Sequence, residues 1–304
     1  AIQAADLVLA FGMRFDDRVT GKLDRYAPDA KRIHIDADAA ELNKIVRADV
    51  PIHGDLRQAL TQLLPALSRT THPAWIAQIN EWRGESRKRD ILHRPENGRL
   101  VAAHFINAIW EATEGRAVVV SDVGQHQMWA AQYYANDVPY SVVTSGGLGT
   151  MGFGLPAAIG AQFGQPEREV WAIVGDGGFQ MTLPDLGTLV QEKLPVRIAL
   201  SNNNYLGMVR QWQELFYDKR YEATRLLNPD FVKLVASYGI PAWRAATRAE
   251  AREAVAAARE VDGPAFIEFQ IAEEGEDGNV YPMVPSGAAL HDMIRRSHPD
   301  ADEV

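Results

Sequence analysis

Two polar segments in the middle of the sequence have the residue types and the spacing of a shared magnesium site. Asp176 stands between glycines where an apolar strand pattern ends, and a second strand pattern ends in three asparagines at 202–204. Twenty-four residues separate Gly177 from Asn202, which is enough for one crossover helix, so parallel strands would bring the two ends side by side. A carboxylate and an amide oxygen are hard ligands that suit Mg²⁺, which completes its octahedron with phosphate oxygens. For Asp176 taken alone, a helix cap and a ribose ligand are the alternatives.

A glycine-rich segment at 145–154 follows the strand predicted at 140–144 and leads into a helix. Its five glycines let backbone amides approach a ligand closely, and the start of a helix favours an anion. The spacing Gly147-x-Gly149-x-x-Gly152 also fits the dinucleotide fingerprint, so a nicotinamide-dependent oxidoreductase is a rival interpretation, and a turn that only packs is another. The asparagine run favours magnesium, because hydride transfer requires no pairing of a carboxylate with an amide.

The composition excludes several functional classes. The 304 residues include 31 basic and 40 acidic side chains, and the formal charge of −9 argues against binding to the phosphate backbone of nucleic acids. Without cysteine there is no disulfide, thiol nucleophile or thiolate metal site. No apolar run approaches the roughly 20 residues of a membrane span, and the first residues do not resemble a signal peptide. A soluble, intracellular α/β protein is therefore expected.

The first part of the sequence, 1–68, is expected to form part of a parallel sheet. Strands are predicted at 7–11, 32–35 and 51–53, with a helix at 39–46. These elements are few for a sheet whose two faces both need cover, so we expect the start of this domain to be missing from the sequence. A linker that contains a helix is predicted at 69–97.

The remainder, 98–304, alternates apolar strands with amphipathic helices, which predicts a doubly wound parallel sheet. Strands are predicted at 117–121, 140–144, 169–175, 196–201 and 265–271. Helices are predicted at 100–113, 125–134, 155–163, 184–192, 207–216, 229–238 and 247–260. Ligands of such sheets bind beyond the carboxyl ends of the strands, so the chemistry is expected there.

The Gly-Asp-Gly segment, its spacer and the terminal Asn-Asn resemble the thiamine-diphosphate motif. The resemblance implies that Mg²⁺ is held by the side chains of Asp176 and Asn203 and by the main-chain carbonyl of Tyr205. It also implies that Gly177 and Gly178 let backbone amides reach the diphosphate. The further residues that it assigns to the cofactor are Gln125, His126, Gly149, Met151, Gly175 and Met208.

Five longer segments resemble the catalytic subunit of acetohydroxyacid synthase, a thiamine-diphosphate-dependent family. They lie at 15–22, 123–129, 145–154, 207–213 and 281–284. The resemblance covers essentially the whole sequence and corresponds to the C-terminal half of that subunit. It implies the C-terminal part of a Rossmann-like middle, FAD-binding domain at 1–68 and a doubly wound, thiamine-diphosphate-binding domain at 98–304.

The activity that the resemblance implies is that of a carboligase of branched-chain amino-acid biosynthesis. Such an enzyme decarboxylates pyruvate on thiamine diphosphate and joins the hydroxyethyl unit to a second 2-ketoacid, giving acetolactate or acetohydroxybutyrate. Catalytic roles are implied for Gln125, for Met151, over which the cofactor is bent, and for Trp212, which favours the larger second ketoacid. Asp17 and Arg18 are placed with Trp212 at the substrate channel.

FAD binding is implied for Arg14, Asp36 and Asp55, which follow the first three predicted strands. In this family the FAD is largely structural, and the segment 15–22 favours the FAD-containing anabolic enzyme over its flavin-free catabolic counterpart. The resemblance also implies a homodimer or homotetramer with the site between subunits and a small regulatory subunit. Residence in a bacterial cytoplasm is expected, with a plastid as the open alternative.

One departure from the family pattern concerns a proton relay. The family uses a glutamate of its first domain, on the partner subunit, to protonate the cofactor's pyrimidine ring, and no residue here resembles it. We therefore expect the chain alone to be inactive. The alternatives are glyoxylate carboligase or another decarboxylase-type enzyme of the same cofactor, then an NAD-dependent oxidoreductase, and last a non-enzymatic binding or assembly module.

Overall fold

The computed structural model of the protein describes residues 1–88, 90–93 and 98–272, without the side chains of 85–88. These residues form two compact units, which divide between Asp90 and Ile91. The predicted domain limits at 68 and 98 remain predictions, as does the role of the segment 281–284, which lies outside the described residues. None of the helices within the described ranges is both long and apolar enough to cross a membrane.

The first unit contains a three-stranded parallel sheet. Its strands follow one another in the order β1-β2-β3, at Leu7–Phe11, Lys31–Asp36 and Val50–His53. Its helices are α1 (Asp17–Thr20), α2 (Leu56–Ala66) and α3 (Pro73–Lys88), with 3₁₀ turns at Ile2–Ala4 and Leu23–Arg25. The three predicted strands are therefore confirmed, and α3 lies in the segment where a helix was predicted.

The prediction of a helix at 39–46 is wrong, because this segment forms a series of turns. Asp38 accepts a hydrogen bond from the Ala40 amide, and Asn43 has a φ of +62° and accepts one from the Ala48 amide. Asp and Asn side chains that bond nearby amides compete with helical hydrogen bonds, and a left-handed residue ends any helix. Local side-chain chemistry has overridden the apolar spacing.

The second unit is built on six parallel strands in the order β5-β4-β6-β7-β9-β8. The strands are β4 (Val118–Ser121), β5 (Val142–Thr144), β6 (Val170–Gly175), β7 (Val196–Asn202), β8 (Ala242–Ala245) and β9 (Ala265–Gln270). The helices are α4 (Ala102–Thr113), α5 (Gln125–Tyr133), α6 (Gly154–Gly164), α7 (Asp176–Met181), α8 (Leu186–Gln191), α9 (Gly207–Phe216), α10 (Phe231–Ala236) and α11 (Arg248–Arg259). Further 3₁₀ turns lie at Ile91–His93 and Leu183–Asp185.

Alternate residues of this sheet pack into two separate apolar clusters, one on each face. On β4, Val118 and Val120 belong to one cluster and Val119 to the other, and on β6 Trp171 and Ile173 join Val119. Helices α4, α5 and α11 cover one face, whereas α6, α7, α8 and α10 cover the other. Strands buried on both faces read as continuous apolar runs, which is why the sequence identified them. The prediction of a doubly wound α/β fold is confirmed.

Two elements of the second unit were not predicted. Strand β8 is only four residues long and lies at the edge of the sheet, where an arginine and partial exposure hide the strand pattern. Helix α7 begins at Asp176 directly after β6 and contains two glycines, which are poor helix formers. The first turn of α7 therefore carries the carboxylate that the sequence assigned to the end of a strand.

Candidate cofactor site

The candidate site lies at the point where the order of the strands changes direction. From β4 the chain passes to β5 on one side, whereas β6 lies on the other side of β4. Neighbouring strands whose connections leave in opposite directions have a crevice between their carboxyl ends, and ligands of doubly wound sheets bind there. The segments that follow Ser121 of β4 and Gly175 of β6 are thus brought face to face.

One cleft gathers residues from these two segments, from the end of β7 and from the glycine-rich loop. It is lined by 123–126, Trp129, Met151, 175–178, Ser201, Asn203 and 205–209. All the residues that the sequence assigned to thiamine diphosphate or to Mg²⁺ line this cleft, except Gly149. Trp212 does not line it either, and its side chain on α9 is about two-fifths exposed.

Asp176 is buried at the head of α7 without a cationic partner among its hydrogen bonds. Its Oδ1 accepts from its neighbour, the Gly177 amide, at 3.1 Å, and its Oδ2 accepts from the side-chain amide of Asn228 at 2.7 Å. Burial raises the pKa of Asp176 to about 6, and the hydrogen bonds from Asn228 and from backbone amides offset only part of that effect. A carboxylate held in this way is stabilised in its charged form by a bound cation.

The three asparagines at the end of β7 and directly after it point to different partners. Asn202 donates to Glu268 Oε1 at 2.7 Å, so its side chain faces the sheet and not the cleft. Asn203 lines the cleft, and its Oδ1 accepts from the Tyr205 amide at 3.0 Å. Asn204 has a φ of +58°, a conformation that asparagine tolerates better than most residues and that turns the chain toward α9. Of the run, only Asn203 is therefore a cleft residue.

Gly177 and Gly178 pack so closely against their neighbours that neither position has room for a side chain. A Cβ on Gly178 would lie 2.5 Å from Asp122 Oδ2, and one on Gly177 would lie 2.7 Å from Leu206 Cδ2. Where the first residues of a helix are glycines, their backbone amides are accessible to phosphate oxygens. Among the described residues, no group of three or more His, Cys, Asp or Glu side chains is placed to hold a metal ion. A single carboxylate, an amide oxygen and a carbonyl suit Mg²⁺ that completes its shell with phosphate and water.

His126 supplies a buried polar atom toward this site. Burial lowers the pKa of His126 to about 4, so the ring is neutral at physiological pH. The Nε2 atom is buried and has no hydrogen-bond partner in the part of the chain that the structure describes. Gly124 and Gly175 make room for the ring, because a Cβ on either would lie less than 3 Å from His126 Cε1. An orphaned buried nitrogen beside a glycine cradle fits a site that is completed by a polar ligand.

Asp122 is a site residue that the sequence reasoning missed. It is buried directly after β4 and accepts hydrogen bonds from its neighbour, the Val123 amide, at 2.6 Å and from the Gly152 amide at 3.0 and 3.1 Å. Burial raises the pKa of Asp122, and these amides offset part of the rise. Gly152 has a φ of +85°, which a side chain would strain, so glycine is needed at this point of the loop. The carboxylate thus fixes the loop that carries Met151.

The residues predicted to bind FAD all lie in the first unit, at the carboxyl edge of its sheet. Asp36 ends β2 and accepts from the Asp38 amide, and Asp55 caps α2 by accepting from the Gln58 amide. Arg14 follows β1 and forms an ion pair with Asp16 at 3.3 Å. Because the three strands are parallel, their ends meet at one edge.

Asp17 and Arg18, predicted at the substrate channel, form the first turn of α1 in the same unit, and the Asp16 side chain caps this turn at the Arg18 amide. The turn is held by this local hydrogen bond. Their placement at a channel remains a prediction.

Comparison with known proteins gives two matches to models of one family. The model of the thiamine pyrophosphate enzyme C-terminal, TPP-binding domain matches residues 122–269, and the model of the thiamine pyrophosphate enzyme central domain matches residues 1–63. The match to the first model begins directly after β4 and contains β5 to β8, nearly all of β9 and the whole cleft. The match to the second contains the three-stranded sheet.

Several curated relatives are similar over nearly the whole chain. The chain is 45% identical to an acetolactate synthase large subunit of Corynebacterium glutamicum, over 96% of its own length and 48% of the relative's. It is 42% identical to the same subunit of Parasynechococcus marenigrum, over 99% and 48% of the two lengths, and 41% identical to the isozyme 2 large subunit of Escherichia coli, over 97% and 53%. The chain thus spans about half the length of the curated relatives it matches.

Replacing Asp176 with asparagine is expected to change the stability of the metal-free protein in a pH-dependent way. The folded-state pKa of about 6 lies above the ordinary value of 3.8, so ionised Asp176 costs stability, and this cost appears as the pH rises through 4 to 6. The difference in free energy of unfolding between Asp176→Asn and the unsubstituted protein should therefore shift in favour of the variant by on the order of 2 kcal/mol when the pH rises from 4 to 7.5. Urea unfolding in EDTA at the two pH values measures the difference. Asp137→Asn, at an exposed carboxylate, is the control and should show no such gain.

Adding a methyl group at Gly178 is expected to disturb the loop that Asp122 holds. The new Cβ would overlap a carboxylate oxygen that accepts from the Gly152 amide, so Gly178→Ala should destabilise the protein by about 1–3 kcal/mol. Gly187→Ala is the matched control, since Gly187 lies inside α8 with open space around it and should gain up to about 1 kcal/mol. Equal unfolding midpoints for the two variants in urea would show that the cradle is loosely packed.

Proposed function

This chain belongs to the thiamine pyrophosphate enzymes, and we propose that it forms the C-terminal half of the catalytic subunit of an acetolactate synthase. Such a subunit decarboxylates pyruvate and joins the two-carbon unit to a second 2-ketoacid, as a step of branched-chain amino-acid biosynthesis. The observation that supports this most directly is that Asp176, Asn203 and Tyr205 line the same cleft as Gly177 and Gly178.

The metal and the diphosphate are assigned to the two strand ends that meet at the cleft. Asp176 and Asn203 hold Mg²⁺ through their side chains, and Tyr205 holds it through its carbonyl. The amides of Gly177 and Gly178, at the start of α7, bind the diphosphate oxygens. When bound, thiamine diphosphate supplies the carbanion chemistry that the side chains of the protein lack.

The other cleft residues position the cofactor and exclude water. Met151 would be the apolar support for the cofactor, and the loop that carries it is held by Asp122. The neutral ring of His126 and the side chain of Gln125 lie beside the diphosphate, where the uncharged imidazole adds no competing charge. Gln125 is itself fixed by a hydrogen bond to Gln211 on α9 at 2.8 Å. The protein thus contributes orientation and a dry site.

Substrate choice and the remaining partners are assigned by the similarity to acetolactate synthases. By that similarity we assign Trp212, Asp17 and Arg18 to the substrate channel, and Trp212 alone to the preference for the larger second ketoacid. The first unit binds FAD through Arg14, Asp36 and Asp55, since acidic groups at strand ends suit nucleotide hydroxyls. The relatives are named large subunits, so we assign a small regulatory subunit, a site between two catalytic subunits, and a cytoplasmic location in a bacterium.

The nicotinamide alternative is disfavoured by the order of the strands. In a dinucleotide fold the acid on the ribose ends the strand beside the one that carries the glycine fingerprint. Here the fingerprint follows β5, whereas Asp176 follows β6, and β4 lies between these two strands. The relatives compared above are named acetolactate synthases, which also leaves glyoxylate carboligase without support of its own.

Binding of thiamine diphosphate is expected to depend on Mg²⁺ and on Asp176. In calorimetric titration with thiamine diphosphate, the protein should release heat when Mg²⁺ is present and give no signal in EDTA. Asp176→Asn removes the charged ligand and should weaken binding by about 100-fold, because an outer shell alone changes metal affinity by 10–100-fold. Asp137→Asn should bind as the unsubstituted protein does. Binding of NAD, or of thiamine diphosphate without metal, would contradict the proposal.

The reaction is tested on the full-length protein with its cofactors. With pyruvate alone it should form acetolactate, and with pyruvate plus 2-ketobutyrate it should form acetohydroxybutyrate in addition. With glyoxylate as the sole ketoacid it should form no carboligation product. Mass spectrometry of the products distinguishes these outcomes, and preferential use of glyoxylate would favour the carboligase alternative.

A further inference from the structure

Asn228 lies at the centre of a cluster of hydrogen-bonded polar side chains that includes Asp176. Its side-chain nitrogen donates to Asp176 Oδ2 at 2.7 Å, to Asn202 Oδ1 at 3.0 Å and to Asn204 Oδ1 at 3.3 Å. Its side-chain oxygen accepts from Gln180 Nε2 at 3.0 Å. Asn228 therefore joins α7, which begins with Asp176, to the end of β7.

The direction of these hydrogen bonds is fixed from both ends of the cluster by carboxylates. Glu268 is buried on β9 and accepts from the side-chain nitrogen of Asn202 at 2.7 Å. A carboxylate only accepts hydrogen bonds, so Asn202 must turn its oxygen toward Asn228. Asp176 is also an acceptor, so Asn228 must turn its nitrogen toward both. The two ends thus require the same orientation of Asn228.

Glu268 is held in turn by an arginine at the edge of the sheet. Arg244 of β8 donates to Glu268 Oε2 at 2.8 Å and to Asp230 Oδ1 at 2.8 Å. The polar cluster is thus a chain of hydrogen bonds, which we call the relay. It runs from the partly exposed ion pair of Arg244 and Asp230 through Glu268, Asn202 and Asn228 to Asp176. All the members are in hydrogen-bond contact, and such connected networks rigidify the groups they contain.

Both oxygens of Asp176 are thereby placed by separate donors on two sides. The Gly177 amide holds Oδ1, and Asn228 holds Oδ2, so the plane of the carboxylate is set by donors on different segments of the chain. Asp176 lines the cleft together with Asn203. Mg²⁺ demands near-ideal octahedral geometry and is sensitive to the direction of each ligand.

We propose that Asn228 is a positioning residue for the metal: by holding one oxygen of Asp176 within the relay that ends on Glu268, it orients this carboxylate for Mg²⁺. The inference rests on the proposed function, since it needs Asp176 to be a metal ligand. Partners of ligands outside the coordination shell commonly change metal affinity by about 10–100-fold. Asn228 itself does not line the cleft.

The test is a calorimetric titration of the full protein with divalent cations at saturating thiamine diphosphate. Asn228→Ala removes the donor, and Asn228→Asp keeps the size of the side chain but replaces the donor with an acceptor. Both should raise the dissociation constant for Mg²⁺ by about 10–100-fold. For Ca²⁺, which accepts irregular geometry, the rise should stay below about threefold. Asn107→Ala removes a similar amide–carboxylate bond, to Glu111 on α4, and should leave both constants unchanged.

The outcomes separate this inference from the proposed function. If the unsubstituted protein shows no cation-dependent binding, the proposed function fails, and the inference fails with it. If that protein binds and the Asn228 variants bind Mg²⁺ equally well, only the inference is overturned. Equal losses for Mg²⁺ and Ca²⁺, or a matching loss in Asn107→Ala, would assign Asn228 a structural role and would likewise overturn it.

Discussion

The structure depends on a buried carboxylate to which no cationic side chain of the described residues bonds. Asp176 follows β6 into the interior and is compensated only by an asparagine and by backbone amides, so the pKa of its carboxyl rises to about 6. A buried charge with this degree of support is costly for a fold, and it is retained where a bound cation or a reaction needs it. The glycine cradle, the asparagine run and the neutral histidine all surround this one group.

Strand order explains why these groups meet. The chain leaves β4 toward β5 and returns on the other side of β4 at β6, so the ends of β4 and β6 open into a crevice. His126 enters the crevice from one side and Asp176 from the other, while β7 adds Asn203. The apolar clusters on both faces of the sheet hold these strand ends in register, which makes the positions of short polar side chains precise. A site on rigid strand ends suits a cofactor that must be held in one conformation.

Much of this arrangement could be predicted from the sequence, because strands buried on both faces give continuous apolar runs and polar residues mark their ends. The doubly wound sheet and the meeting of Asp176 with the asparagine run follow from that pattern, whereas the choice of Asn203 within the run rests on the resemblance to the thiamine-diphosphate motif. The helix at 39–46 could not be judged correctly, since turns made by Asp38 and Asn43 have the same apolar spacing. Asp122 and Asn228 were missed because their roles arise from contacts with segments 30 and 52 residues away along the chain. Such long-range hydrogen bonds leave no periodic signal.

A crystal structure of the protein with Mg²⁺ and thiamine diphosphate tests the central claim most directly. We expect one octahedral ion at about 2.0–2.1 Å from an Asp176 oxygen and from Asn203 Oδ1. The diphosphate should complete the coordination shell of the ion and accept hydrogen bonds from the amides of α7. An ion bound at another place, or a diphosphate that docks while Asp176 stays bonded only to protein groups, would contradict the account.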